Sequence, residues 1–154
     1  MIQIMLPLIV ILILNSGFVR AQQCDPNSLK AKPVRDVAEG IIAADNTSDL
    51  QAVLAFYDRA AVLMPPNEVP ISGQAAIRPR YEGLFSNFKP AIKGRIDEIC
   101  VERKIAFVRG HNGGEMIPLG GGESRKLDDS YLMLLRQGSD GKWRITHLMW
   151  HRSH

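Results

Sequence analysis

The chain has 154 residues, 45% of them apolar and 23% charged, with a formal charge of +3 and a pI near 9.0. That length suits one globular domain and is small for two. The composition excludes wholesale disorder, a collagen-like chain and a disulfide-dense mini-protein, and the charge is mildly basic, far from a polycation. Ile4 to Leu14 is an apolar run interrupted only by Pro7. It fits the core of a secretory signal and falls short of the roughly 20 residues that span a membrane. Val19-Arg20-Ala21 sets small residues at the two positions a signal peptidase inspects, so cleavage is expected after Ala21. Residues 1–21 therefore read as a signal peptide, 22–32 as a mature N-terminal extension and 33–152 as the domain. The product is expected to be secreted or periplasmic, with no membrane attachment once cleaved; an uncleaved anchor is the alternative.

In an oxidising compartment Cys24 and Cys100 can bridge; otherwise they read as a loose thiol and a small buried hydrophobe. Val34, Val37, Ala38, Ile41 and Ile42 recur at helical spacing behind Pro33. Ser48 to Gln51 reads as a capping box for a second helix carrying Leu50, Val53, Leu54 and Tyr57. A short strand over Ala60 to Met64 ends at Pro65-Pro66. Ser72 is placed as the cap of a third helix with Ile77, Tyr81, Leu84 and Phe85 on one face, kinked if Pro79 lies beyond its first turn.

The remainder reads as strands. Ile96–Val101 and Ile105–Val108 flank Glu102-Arg103-Lys104 as a hairpin. Gly120-Gly121-Gly122 separates Ile105–Leu119 from Arg125–Arg136, with Asn112-Gly113 either an earlier turn or a bulge. Gly138 to Gly141 turns into a last strand from Trp143 to about His151. Helices followed by a strand meander make an α+β domain.

Few residues carry readable chemistry. On a strand, His147 and His151 stand about 13 Å apart, too far to share an ion, and no third ligand is spaced for one, so no metal site is expected. His111 reads as a turn residue. The triple glycine is not followed by a helix start, and the scattered basic residues lack a groove-reading helix or stacking platform, so no nucleic acid is expected either. Asp97-Glu98 and Asp128-Asp129 are adjacent strand pairs, each able to turn one carboxylate inward. Asn46-Thr47-Ser48 matches a glycosylation sequon. Met64, Tyr81, Tyr131 and Trp150 are the soft and aromatic side chains suited to a pocket or a core.

Three stretches carry a resemblance. Tyr57-Asp58-Arg59-Ala60-Ala61-Val62-Leu63-Met64-Pro65-Pro66, then Ile71-Ser72-Gly73-Gln74-Ala75-Ala76-Ile77, then Gly141-Lys142-Trp143-Arg144-Ile145 with Trp150 resemble the SnoaL-like, ketosteroid-isomerase-like branch of the nuclear transport factor 2-like superfamily. The resemblance implies a cone: N-terminal helices packed in a strongly curved antiparallel sheet, a cystatin-like roll with a mostly apolar pocket, often dimeric through its outer face. It also implies that the isomerase base position falls at about Pro65 and the oxyanion tyrosine near Gly40. The assisting aspartate falls near Tyr131. Isomerase chemistry needs both base and oxyanion hole, so that mechanism is not expected.

The reading that follows is an exported homodimer binding a small, largely apolar molecule without a cofactor, in a pocket of Met64, Tyr81, Tyr131 and Trp150. One alternative is an isomerase, cyclase or dehydratase whose acid–base group is His147, Glu98 or Asp129. The other is an interaction module whose outer sheet surface binds a partner and whose pocket is filled by side chains, with Trp143, Ile145 and the phenylalanines as core or interface.

Overall fold

A computed structural model describes residues 24–152; the apolar run at 4–14 and the cleavage point after Ala21 lie outside them. The elements are α1 (Lys32–Asn46), α2 (Leu50–Phe56), β1 (Tyr57–Met64), β2 (Ile71–Ser72), α3 (Gln74–Asn87), β3 (Phe88–Glu102), β4 (Ile105–Pro118), β5 (Arg125–Gln137) and β6 (Trp143–Arg152). The domain is α+β, as the order of patterns implied.

Pro33 sits in the first turn of α1, where its missing N–H is not needed, and the helix buries Val34, Val37, Ala38, Ile41 and Ala44. Its far end is clamped to the sheet by Asn46, whose Nδ2 donates to the Ile92 carbonyl at 2.9 Å while Oδ1 accepts from the Ile92 N–H at 2.7 Å. The sequon amide is therefore engaged in the fold. The α2 cap is Asp49, not Ser48: its carboxylate accepts from the Ala52 N–H at 2.9 Å. Tyr57 leaves that helix and opens β1. Gly73, not Ser72, caps α3, since Ser72 is paired with Val62 in the sheet. Pro79 lies inside α3, which continues through it over Ile77 and Tyr81.

Six strands form one curved, unclosed sheet in the order β2-β1-β6-β5-β4-β3. The sheet is antiparallel at every pairing except one, where β1 runs parallel to β6. The β3–β4 hairpin is longer than predicted, and Asn112-Gly113 neither turns nor bulges but stays in register with Gly94 and Lys93.

Register assigns the faces. Ile99, Val108, Met133, Leu148 and Leu63 lie side by side across β3, β4, β5, β6 and β1, and all but half-buried Leu148 are buried. This row is the concave floor on which Val53, Leu54 and Ile77 of the helices pack. Burying each such side chain contributes about 1.5–3 kcal/mol, enough to hold helices whose own propensity is modest. Cys24 and Cys100 are bridged, with Cα atoms 4.4 Å apart. The bond ties the segment before α1 to edge strand β3.

Candidate functional site

The floor changes character one row further along the sheet. Ile96, Gly110, Tyr131 and Trp150 are aligned there across β3 to β6, and the next row is Gly94, Asn112, Asp129 and Arg152. Gly110 makes room for the Tyr131 ring: a Cβ there would strike both the Tyr131 hydroxyl and the Arg95 carbonyl. Three side-chain oxygens in these rows, Tyr131 Oη, Asn112 Oδ1 and Asp129 Oδ1, are sealed from solvent with no hydrogen-bond partner among the described residues. Burial, reinforced by the negative charges of Asp97 and Glu39, pushes the Tyr131 phenol up to about 12. It stays neutral, a donor and acceptor rather than a base. Burial also raises Asp129, against the opposing pull of Arg152.

A second polar group lies among the helices. The hydroxyls of Tyr57 and Tyr81 are 2.9 Å apart and their rings 6.1 Å. Both phenols are raised by burial, and Asp45 of α1 adds to the shift of each. Asp45 is itself pushed up to about 7 by burial, and its Oδ1 is sealed without a partner. Next along α3, Arg80 forms two hydrogen bonds with Glu68 and stacks over Trp150, 5.9 Å from its centroid. Arg80 thus bridges the helix layer to the Tyr131–Trp150 row.

The predicted residues separate accordingly. Tyr81, Tyr131 and Trp150 face inward. Met64 does not join them: it is paired with Met149, one position from inward-facing Leu63, and so lies on the convex side. His147 is likewise turned outward, because Ile145 and His147 pair with consecutive residues of β5 and leave Thr146 as a bulge. Asp97 and Glu98 do not take opposite faces either. A bulge between Ile96 and Glu98 lets both reach Arg109, at 3.3 and 3.1 Å. Asp128 and Asp129 do divide, with Asp128 on His111 at 3.0 Å and Asp129 buried.

Asp45, Tyr57 and Asn112 were missed. Asp45 continues the apolar stripe of α1 four residues after Ile41, and that position was a signal of burial. Among the described residues, Cys24, Glu98 and Cys100 are the one cluster with three potential metal ligands, and the disulfide consumes both sulfurs. Two of the cavities among the described residues bear on the site. One of about 220 Å³ lies between the N-terminal segment, α1 and β3, and one of about 280 Å³ lies on the convex side beside Cys100, Phe107 and Leu134. Neither is lined by Met64, Tyr81, Tyr131 or Trp150.

The SnoaL-like domain family matches residues 38–146, most of the chain. The protein belongs to this family. With it comes membership of the nuclear transport factor 2-like superfamily. A ketosteroid isomerase-like protein from Erwinia carotovora atroseptica superposes with a TM-score of 0.74 at 23% identity, over 80% of this chain and 95% of its own. A proposed aromatic ring hydroxylase from Novosphingobium aromaticivorans gives 0.72 at 20% identity, over 86% and 93%. A domain of unknown function with a cystatin-like fold from Nostoc punctiforme gives 0.66 at 18%, over 81% and 78%. At these identities the likeness is one of fold alone. No curated protein matches the sequence.

Proposed function

We propose that this SnoaL-like protein binds a small, largely apolar molecule on the concave face, oriented by Tyr131 and enclosed by Trp150 and Tyr81. The observation that carries the reading is the Tyr131 hydroxyl, buried without a partner inside an otherwise apolar row. An unsatisfied buried hydroxyl costs about 1–3 kcal/mol, which a ligand oxygen or an ordered water would offset. Met64 is dropped from the site on register. Export is supported by the Cys24–Cys100 bond and the signal-like N-terminus. A homodimer is supported by the convex face, where Leu134 and Met149 are 37% and 41% exposed.

A native mass spectrum of the chain expressed with its own signal tests all three. The expected species is a dimer of processed, disulfide-bonded chains carrying a small adduct that denaturation removes. Tyr131→Phe should lower adduct occupancy at least severalfold. An adduct unaffected by Tyr131→Phe and by Trp150→Ala overturns the assignment of the site.

A second reading, acid–base catalysis on the bound molecule, is favoured by Asp45 beside the Tyr57–Tyr81 pair. Turnover of the captured molecule that Asp45→Asn abolishes, with binding retained, would establish it. Turnover untouched by Asp45→Asn would exclude Asp45 as the group responsible.

A further inference from the structure

The crevice of about 220 Å³ between the N-terminal segment, α1 and β3 has a chemistry that the concave-face reading does not use. One wall is the segment that Cys24 anchors to Cys100, contributing Pro26 and Asn27. The lining also has an apolar part: Ala38 and Ile42 of α1 with Gly94 and Ile96 of β3. Arg35 and Glu39, one helical turn apart on α1, also line it. They carry opposite charges at i,i+4 spacing, yet they form no ion pair with each other. The order Arg before Glu is the poorer one for such a pair. Arg35 instead donates through Nη1 to the Pro26 carbonyl at 2.6 Å, which fixes the guanidinium against the tethered wall. Its remaining N–H groups, and the Glu39 carboxylate, have no hydrogen bond or ion pair among the described residues.

A cation and an anion without an ion-pair partner, on side chains whose Cβ atoms stand about 5–6 Å apart beside apolar residues, complement a molecule bearing both charges and a hydrocarbon side chain. We propose that this crevice is a second ligand site, which takes a small zwitterion of the amino-acid type with an apolar side chain. Arg35 holds the carboxylate, Glu39 the ammonium group, and Ala38, Ile42 and Ile96 the side chain. The volume is below the roughly 300–1,000 Å³ of pockets for drug-sized ligands, which fits a molecule of this size. The crevice shares Ile96 with the Tyr131–Trp150 row and Gly94 with the next row, and the Glu39 charge reaches the Tyr131 phenol, so the two readings are told apart by their variants.

Calorimetric titration of the full disulfide-bonded protein with L-leucine tests it, against 4-methylpentanoate (carboxylate only) and isopentylamine (ammonium only). Leucine is expected to bind at least about tenfold more tightly than either analogue. Arg35→Gln should erase the preference over the amine, and Glu39→Gln the preference over the acid, while Tyr131→Phe changes leucine affinity less than about twofold. Binding of leucine no tighter than that of both analogues overturns the proposal, as does no heat at about 10 mM leucine. Leucine binding lost in Tyr131→Phe but retained in both α1 variants also overturns it, and would place the ligand on the concave face instead.

Discussion

Sealing one oxygen of Asp45 away from water costs free energy whenever the carboxyl is charged, and the surrounding groups do little to relieve it. Tyr57 and Tyr81 are hydrogen-bonded to each other, and Arg80 is already paired with Glu68. In the unfolded chain Asp45 ionises near its ordinary 3.8; in the fold it does so near 7. Between those values the native protein holds a proton that the unfolded chain has released. The contribution of Asp45 is therefore intact below about pH 4 and is lost as pH rises toward 7, by at most about 4 kcal/mol. Asp129, also raised by burial, acts in the same direction. Asp58, Asp97 and Asp140 are held low by hydrogen bonds and act the opposite way, losing stability at more acid pH. Urea midpoints from pH 4 to 8 should fall for the wild type and be markedly flatter for Asp45→Asn. Equal slopes would mean that Asp45 is hydrated in solution.

Strand β4 illustrates how an element can look broken in sequence and be continuous in space. Asn112-Gly113-Gly114 has the composition of a turn, but both neighbouring ladders run through it unbroken. Gly114 is needed there: its φ is +106°, and a Cβ would meet the Ala91 backbone carbonyl of β3. Gly114→Ala is expected to destabilise the fold by more than about 1 kcal/mol. Gly113→Ala, whose Cβ would meet only the Leu127 carbonyl at an ordinary 4.0 Å and whose φ is not positive, should shift the midpoint by less than half as much; equal effects would refute the argument. The helices were legible because burial follows a 3.6-residue period that no later event disturbs. Strand existence was legible too, but strand faces were not. Parity is lost at Asp97, at Thr146 and between Tyr57 and Val62, where register shifts. His147 and Glu98 each lie beside such a shift, Met64 lies on the strand segment that follows one, and all three face outward. Tyr81, on a helix, and Tyr131 and Trp150, on an unbroken stretch of the β5–β6 ladder, face inward; pattern alone left them equally suited to core and pocket, and for Tyr81 and Trp150 it was the resemblance that pointed to a pocket. Asp45 was overlooked because a carboxylate reads as exposed unless the stripe it continues is followed to its end.

The molecule as a whole is a sheet with two free edges, β2 and β3, and the disulfide acts at one of them. Cys24 precedes α1 and Cys100 lies near the end of β3, so the bond closes 76 residues of chain that include every helix. Within that span α1 is also pinned by Asn46 to Ile92 at the opposite end of the same strand. The helix layer is thus tied to β3 at both ends, once covalently and once through two hydrogen bonds. Closing so long a loop restricts the unfolded chain, and in the entropy model this is worth about 4 kcal/mol. A Cys24→Ser/Cys100→Ser variant should lose that much in urea unfolding with little change in far-ultraviolet circular dichroism, since no element depends on the bond for its hydrogen bonds. It should also bind leucine more weakly, because Pro26 and Asn27 would no longer be held against Arg35. A loss below about 1 kcal/mol would mean that the unfolded chain is already compact around these positions, so that the bond removes little of its freedom.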